Sequence, residues 1–178
     1  MVVDKNLAKN NQHLSNKIKN IKLIITDVDG VLTDTGIYYS SNGEAFKRFS
    51  IRDGMGVERL RNLLNIETVI ITGEHSGTVK TRAEKLKITE VYLGVKNKLE
   101  VLEQIKKKNG IEELNIAYIG DDSNDYEIMQ KCGFKATPND GMNFIKEISD
   151  YICEAKAGYG AFRELAELII SLKLENKK

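Results

Sequence analysis

Short apolar runs alternate along this chain with longer stretches that have helical periodicity. The runs at 22–26, 69–72, 91–93 and 116–119 are rich in β-branched residues and predict buried strands, and 135–136 and 151–153 are shorter candidates. Apolar residues at helical spacing predict helices over 57–64, 78–86, 99–108, 126–131 and 162–172. This alternation indicates an α/β fold in which helices cover both faces of a parallel sheet, a doubly wound, Rossmann-like arrangement.

One segment, at about 36–50, breaks the alternation. Residues 37–39 and 45–49 have strand-like composition, and Ser41-Asn42-Gly43 between them has the residue types of a tight turn. The pattern predicts a β-hairpin inserted after the first strand. Its aromatic residues Tyr38, Tyr39 and Phe46 are more apolar surface than a lone hairpin can cover, so we expect a neighbouring subunit to pack there.

Length and composition fit a single globular domain. The chain has 178 residues, 41% hydrophobic and 30% charged, with a formal net charge of +1. That balance argues against nucleic-acid binding driven by bulk charge. No apolar run approaches the roughly 18 residues that span a membrane. Residues 1–20 are polar and predict a flexible tail, frayed or loosely helical and without a signal-peptide core, so we expect a cytoplasmic protein whose domain occupies 21–178.

Polar residues follow the predicted strands at the edge where open parallel sheets bind ligands. Asp27 and Asp29 follow the first strand, Thr72 and Gly73 end the second, and Lys98 opens the helix after the third. The segment after the fourth strand contributes further carboxylates, namely Asp121, Asp122 and Asp125. The predicted fold therefore gathers carboxylates, a hydroxyl and an ammonium at one edge.

This set of side chains suits phosphoryl transfer with Mg²⁺, a metal that favours oxygen ligands. Asp27 could attack phosphorus and form an aspartyl-phosphate. Asp29 could protonate the leaving oxygen and later activate water. Thr72 and Lys98 would bind the phosphoryl oxygens. Each motif alone is weak, since Asp-x-Asp-Gly is often a solvated turn, but their order after successive strands favours a joint site.

The order of motifs resembles the haloacid dehalogenase superfamily of phosphohydrolases over nearly all of 21–172. Within it the chain is similar to the 3-deoxy-D-manno-octulosonate 8-phosphate phosphatases, which act in lipopolysaccharide sugar biosynthesis and form homo-tetramers through short hairpins. That resemblance implies that Asp27, Asp121 and the backbone carbonyl of Asp29 bind the metal, supported by Asp122 and Asp125. The implied partner is a small sugar-acid phosphate.

Residues at the substrate end depart from the octulosonate group. The resemblance implies the following substrate contacts: Asp53, Gly54, Gly73, Glu74, Arg82, Lys85 and Arg163. Positions 58 and 74 carry Glu where that group tends to have Arg. Glu74 with Lys85 resembles instead the relatives that act on nine-carbon, sialic-acid-type 2-keto-3-deoxy acid phosphates. Lys85 could be an ion-pair partner of Glu74 or a second substrate contact, and a solvated pair on the helix surface is equally compatible with the sequence.

Two alternatives come from other functional classes. A receiver domain also gathers acidic residues, a Thr and a Lys, but its acceptor Asp follows the third strand, where this chain has Leu93-Gly94. A catalytically idle oligomerisation module is the other alternative, and the complete set of motif residues argues against it. Steady Mg²⁺-dependent phosphate release would distinguish a phosphatase from both.

Overall fold

A computed structural model describes residues 3–175 and contains a six-stranded parallel sheet with a separate antiparallel hairpin. The strands are β1 Leu23–Thr26, β2 Thr33–Ser40, β3 Gly43–Phe49, β4 Glu67–Ile71, β5 Glu90–Tyr92, β6 Ile116–Ile119, β7 Phe134–Thr137 and β8 Tyr151–Ile152. The helices are α1 Lys5–Asn10, α2 Ser15–Ile18, α3 Ile51–Leu64, α4 Gly77–Lys85, α5 Lys98–Asn109, α6 Ser123–Lys131, α7 Asn143–Ile148 and α8 Ala161–Glu175.

The strand order places a topological switch point in the middle of the sheet. The order is β5-β4-β1-β6-β7-β8, so the chain builds outward from β1 in one direction and then returns to add β6 on the other side. Residues 23–26 pair in register with 67–70 on one side and with 116–119 on the other. Loops leaving β1 and β6 therefore diverge at this edge, which is where open α/β sheets bind their ligands.

Apolar side chains form one core on each face of the sheet. The first core combines β1 residues such as Ile24 with α3, α4 and the long apolar α8, including Phe162 and Ile169. The second core combines Ile25 and Tyr118 with side chains of α5, α6 and α7. Both faces of the sheet are thus covered, and the predicted doubly wound α/β fold with a hairpin insertion is confirmed.

The hairpin is slightly longer than the predicted 36–50. It begins at Thr33 because Thr33 pairs with Phe49, and a register irregularity follows before Ile37 pairs with Lys47. Its tip carries a stacked pair, Tyr38 and Phe46, with ring centroids 4.5 Å apart. These two rings remain 52% and 55% exposed, so this single chain leaves an apolar surface open.

The N-terminal segment differs from the expectation of a flexible tail over 1–20. Asp4 caps α1, and Ala8, Leu14 and Ile18 are buried in the core that contains α8. An ion pair of 2.6 Å between Lys17 and Asp150 ties the segment to the β8 end of the sheet. The abundant Asn and Lys residues hide this sparse apolar face. The first residues of the predicted tail, 1–2, and the last residues of the predicted domain, 176–178, lie outside the described residues.

Helix α3 begins six residues before the predicted start at 57, and α7 has no counterpart in the predicted helices. Ser50 caps α3, since its hydroxyl accepts from the Arg52 N–H at 3.1 Å. Two glycines, at 54 and 56, obscured the helical pattern; at Gly56 the added Cβ of any other residue would lie 3.1 Å from the Arg163 Cα, so α3 packs closely on α8. Within 3–175, no helix has the length and apolar character needed to cross a membrane.

Candidate active site

A pocket of about 360 Å³ opens at the carboxyl edge of β1, β4 and β6. It lies at the topological switch point and collects side chains from three successive strand ends. The lining residues are Asp27, Asp29, Thr35, Thr72, Gly73, Glu74, Asp121, Asp122, Ser123 and Asn124. The structure therefore brings together most of the residues that the sequence predicts for catalysis and metal binding.

The floor of the site consists of Asp27, which lines the pocket, and of the buried side chains of Lys98 and Asp125 behind it. Asp27 follows β1, and its backbone N–H donates to the Ile119 carbonyl at 3.0 Å, which extends the β1–β6 ladder by one residue. Lys98 is the first residue of α5, where the Asn97 side chain caps the helix. The Lys98 ammonium lies 3.1 Å from Asp27 Oδ1. A cation beside this carboxylate places positive charge where a phosphoryl group would arrive.

Asp125 organises the floor from behind. Its Oδ1 accepts from Lys98 Nζ at 2.6 Å and from the buried Tyr118 hydroxyl, and its Oδ2 accepts from the Asp121 N–H at 2.9 Å. Asp122 caps α6 in a reciprocal arrangement with Asp125. Both oxygens of Asp125 are thus occupied by donors, so this residue orients Lys98 and the Asp121 loop and has little capacity left for a metal.

Asp27 and Asp121 have the opposite property. Asp27 Oδ1 and Asp121 Oδ1 are buried, and within the described residues neither accepts a hydrogen bond of good geometry. Together with Asp125, these carboxylates offer oxygens that all lie within 4.8 Å of one another. Lys98 pairs with Asp27 but leaves the other negative charges of this buried cluster without a cation, which is costly, so Asp27 and Asp121 fit a divalent metal.

The pKa values of the two carboxylates reflect the same crowding. Burial, followed by the charge of Asp125, raises the pKa of Asp27 to about 7 despite the opposing effect of Lys98. Burial, followed by the charges of Asp27, Asp125 and Asp122, raises the pKa of Asp121 to about 8. A divalent cation would favour the ionised form of both side chains.

The Asp27–Gly30 turn allows this close approach of loops. Gly30 has φ +86°, and a side chain there would collide with the Asp121 carboxylate. Only glycine combines that left-handed backbone with the absence of a Cβ. The Gly that follows Asp-x-Asp is therefore a requirement of packing two acidic loops against each other.

Asp29, Thr72 and Gly73 lie on the sides of the pocket. Thr72 is buried, and its hydroxyl accepts from the Glu74 N–H at 3.2 Å. Asp29 is a partly exposed carboxylate beside the hairpin, where Thr33 and Lys47 hold its two oxygens. The arrangement provides a buried carboxylate, a second carboxylate, a hydroxyl and an ammonium around one small cavity, as phosphoryl transfer requires.

The predicted substrate contacts fall into two groups. Gly73 and Glu74 line the pocket. Lys85 lies outside it on α4; it and Glu74 are both exposed, and no ion pair joins them within the part of the chain described. The alternative of a Glu74–Lys85 ion pair is therefore not realised in this structure.

The second group lies apart from the pocket, where α3, α4 and α8 meet. The Asp53 carboxylate accepts from the Arg163 N–H at 2.9 Å at the start of α8. Arg82 donates to the Ser50 carbonyl at 2.8 Å and sits against Gly54, where any side chain would collide with its guanidinium. Within one chain, these residues join helices and do not line the cavity at Asp27.

Sequence reasoning missed three polar residues close to this pocket: Glu44, Lys47 and Tyr118. Tyr118 looks like an ordinary strand residue, and nothing in the sequence distinguishes its buried hydroxyl. Lys47 is a lysine next to the exposed Phe46 on a hairpin strand, and nothing in the local sequence distinguishes it as buried.

Comparisons with known proteins identify the class to which this site belongs. A family model described as haloacid dehalogenase-like hydrolase matches residues 72–165, more than half of the 178 residues. The matched region runs from the Thr72 motif through Lys98 and the Asp121 loop to the start of α8. The chain belongs to the haloacid dehalogenase-like hydrolase family.

Individual relatives are phosphatases of one kind. The 3-deoxy-D-manno-octulosonate 8-phosphate phosphatase of Salmonella typhi is 39% identical over 158 residues, 89% of this chain and 84% of that protein. The corresponding Haemophilus influenzae structure, bound to cobalt, has a TM-score of 0.85 and 36% identity, and the match covers 88% of this chain and 91% of that one. The Moraxella catarrhalis enzyme, solved with magnesium, phosphate and the octulosonate, has a TM-score of 0.88 and 38% identity over 94% of this chain and 95% of that one.

Proposed function

We propose that this protein is a Mg²⁺-dependent phosphatase that releases phosphate from 3-deoxy-D-manno-octulosonate 8-phosphate. The observation that carries the proposal is the pair of buried, crowded carboxylates Asp27 and Asp121, of which Asp27 pairs with the Lys98 ammonium and Asp121 Oδ1 accepts no hydrogen bond within the described residues. The size of the pocket, about 360 Å³, suits a phosphoryl group and part of a sugar acid. The names of the relatives and the magnesium, phosphate and octulosonate in the Moraxella structure support the choice of metal and substrate.

The residues divide the reaction into two displacements. Asp27 attacks phosphorus, the bond to the sugar oxygen breaks, and Asp29 supplies the proton that the leaving oxygen needs. Water then attacks the aspartyl-phosphate, with Asp29 as its base, and Asp27 is released. Lys98 and the Thr72 hydroxyl bind phosphoryl oxygens as charge moves onto them.

Asp27, Asp121 and the backbone carbonyl of Asp29 are the proposed metal ligands. Oxygen donors of this kind suit Mg²⁺. When bound, the metal neutralises the charges that would otherwise keep a phosphate away from Asp27. Asp122 and Asp125 support the ligands from outside, as their hydrogen bonds to the start of α6 and to the Asp121 N–H indicate.

A homo-tetramer formed through the hairpins is the proposed assembly. The exposed rings Tyr38, Tyr39 and Phe46 favour it, since a contiguous apolar patch is typical of an interface. The predicted contacts at Asp53, Gly54, Arg82, Lys85 and Arg163, which do not line the pocket of their own chain, would take part in substrate binding only where another subunit brings them to a pocket.

A nine-carbon substrate is the second candidate, favoured by one observation. Glu74 is an exposed carboxylate on the pocket wall, where an acid would repel the carboxylate of a sugar acid but could accept hydrogen bonds from additional hydroxyls. This candidate keeps the same reaction and differs in the length of the sugar chain.

A phosphate-release assay over a substrate panel tests the proposal. Eight- and nine-carbon 2-keto-3-deoxy acid phosphates are compared with a simple sugar phosphate that lacks a carboxylate, each with Mg²⁺, with Co²⁺ and with a chelator. We expect steady turnover with Mg²⁺, loss of turnover with chelator, and the highest kcat/KM for the eight-carbon substrate. Highest kcat/KM for the nine-carbon compound would select the second candidate, and a single turnover without phosphate release would contradict both.

A further inference from the structure

Lys47 carries a charge that the mechanism above does not use, although it is buried beside the site. Its side chain is 0% exposed, and its ammonium lies 2.6 Å from Asp29 Oδ2 and 3.5 Å from Glu44 Oε2. Lysine is rarely fully buried unless it is paired. Burial by itself would lower the pKa of Lys47, but the hydrogen bond and charge of Asp29, together with Glu44, hold it above its usual value.

The hairpin holds both oxygens of the Asp29 carboxylate. Lys47 on β3 binds Oδ2, and the Thr33 hydroxyl at the start of β2 donates to Oδ1 at 3.2 Å. The Asp29 side chain, 25% exposed, nevertheless lines the pocket. Two contacts from the hairpin restrict the rotation of this carboxyl group, which lies on the wall of the cavity.

The contacts that begin at Asp29 continue through Lys47 and Glu44 to the start of α4. Glu44 accepts hydrogen bonds from the Ser76 hydroxyl at 2.5 Å and the Thr78 hydroxyl at 2.8 Å. Ser76 caps α4, immediately after the Thr72–Glu74 wall of the pocket. Lys47 therefore connects the proposed acid, Asp29, through Glu44 to the segment that follows the pocket wall.

We propose that Lys47 is a positioning residue that aims the Asp29 carboxyl group at the leaving oxygen. The proposal rests on the acid–base role of Asp29 in the proposed function. In the first displacement the Asp29 proton passes to the leaving oxygen as the phosphorus–oxygen bond to the sugar breaks and the bond to Asp27 forms. Lys47 stabilises the carboxylate that remains. In the second displacement that carboxylate takes a proton from the attacking water as the Asp27–phosphorus bond breaks.

The dependence on leaving group distinguishes this role from a structural one. An alkoxide of a sugar alcohol needs a proton as it leaves, whereas 4-nitrophenolate leaves without one. The test compares kcat/KM for the sugar-acid phosphate and for 4-nitrophenyl phosphate in Lys47→Met, a substitution that keeps most of the side-chain volume. Because both values come from one preparation, any unfolded fraction cancels in their ratio.

We expect the ratio of sugar-acid to nitrophenyl kcat/KM to fall by about 10-fold or more, since a positioned acid contributes on the order of 10²–10⁴-fold. The control is Lys80→Met, which removes an exposed lysine of α4 and should leave the ratio unchanged. An unchanged or increased ratio in Lys47→Met overturns the proposal. If Lys47→Met does not fold, Glu44→Gln must lower the ratio in the same direction, and no change there overturns it equally.

Failure of the proposed function gives a different result. Wild-type protein would then release no phosphate from the sugar-acid panel, whatever residue 47 is. A simple alkyl phosphate that the wild type does hydrolyse then replaces the sugar acid in the ratio, so that the positioning role of Lys47 is still decided.

Discussion

The floor and the rim of the pocket are built by different physical means. The floor consists of Asp27, Asp125 and Lys98, whose side chains are each no more than 4% exposed and which lie within short ion-pair distances at the ends of strands or the start of a helix. The rim includes Glu74 and Asn124, exposed residues in a loop and at the start of a helix for which residues 3–175 provide no ion pair. Buried ion pairs therefore hold the floor in place, whereas the rim residues named here are exposed to solvent.

The largest expected effect comes from the floor. In Asp27→Asn, the amide is nearly isosteric but is a poor nucleophile, so phosphate release should fall by several orders of magnitude, as when one member of a catalytic unit is removed. The measurement is kcat in the phosphate-release assay with saturating Mg²⁺.

Thermal unfolding of the metal-free Asp27→Asn protein is the control. Burial and Asp125 raise the pKa of Asp27 to about 7, which means that its negative charge opposes folding at and above neutral pH. The amide removes that charge, so the melting temperature above pH 7 should not decrease. Near-wild-type turnover, or a large drop in melting temperature together with the loss of turnover, would contradict the assignment of Asp27 as nucleophile.

The floor is also the part that the sequence predicts best. Strand ends of a parallel sheet meet at one edge, so the acids after β1 and β6 could be placed together from periodicity alone. Lys47 and Tyr118 could not, because their roles depend on how the hairpin folds back and on which face of β6 meets α6. The prediction of a tail over 1–20 differed from the structure for a related reason. A few apolar residues of this segment, such as Ile18, pack against α8, and no local sequence pattern indicates that contact.

A smaller effect, on activation by Mg²⁺, should distinguish Asp121 from the adjacent Asp122. Asp121→Asn removes the negative charge of a carboxylate whose buried Oδ1 accepts no hydrogen bond within the described residues, and it should weaken Mg²⁺ activation by more than about 100-fold, beyond the 10–100-fold typical of residues that only support ligands. Asp122→Asn is the matched control, since Asp122 is exposed and caps α6. The Mg²⁺ concentration for half-maximal activity measures both. Equal shifts in the two variants would mean that Asp121 does not contact the metal.

The smallest expected effect concerns the rim and changes preference more than rate. Glu74 lines the pocket without an ion pair in the described part of the chain, so Glu74→Arg can be accommodated without leaving a buried partner uncompensated. An arginine there could bind the substrate carboxylate through two parallel hydrogen bonds, which glutamate cannot do. The ratio of kcat/KM for eight-carbon over nine-carbon substrate should rise by about 10-fold, within the range that a few polar contacts supply.

Lys85→Ala, on the exposed face of α4 and outside the pocket, should change this ratio less if only the rim of the same chain matters. A larger change in Lys85→Ala than in Glu74→Arg would instead place the determinant of specificity on α4, and an unchanged ratio in Glu74→Arg would show that residue 74 does not set the preference.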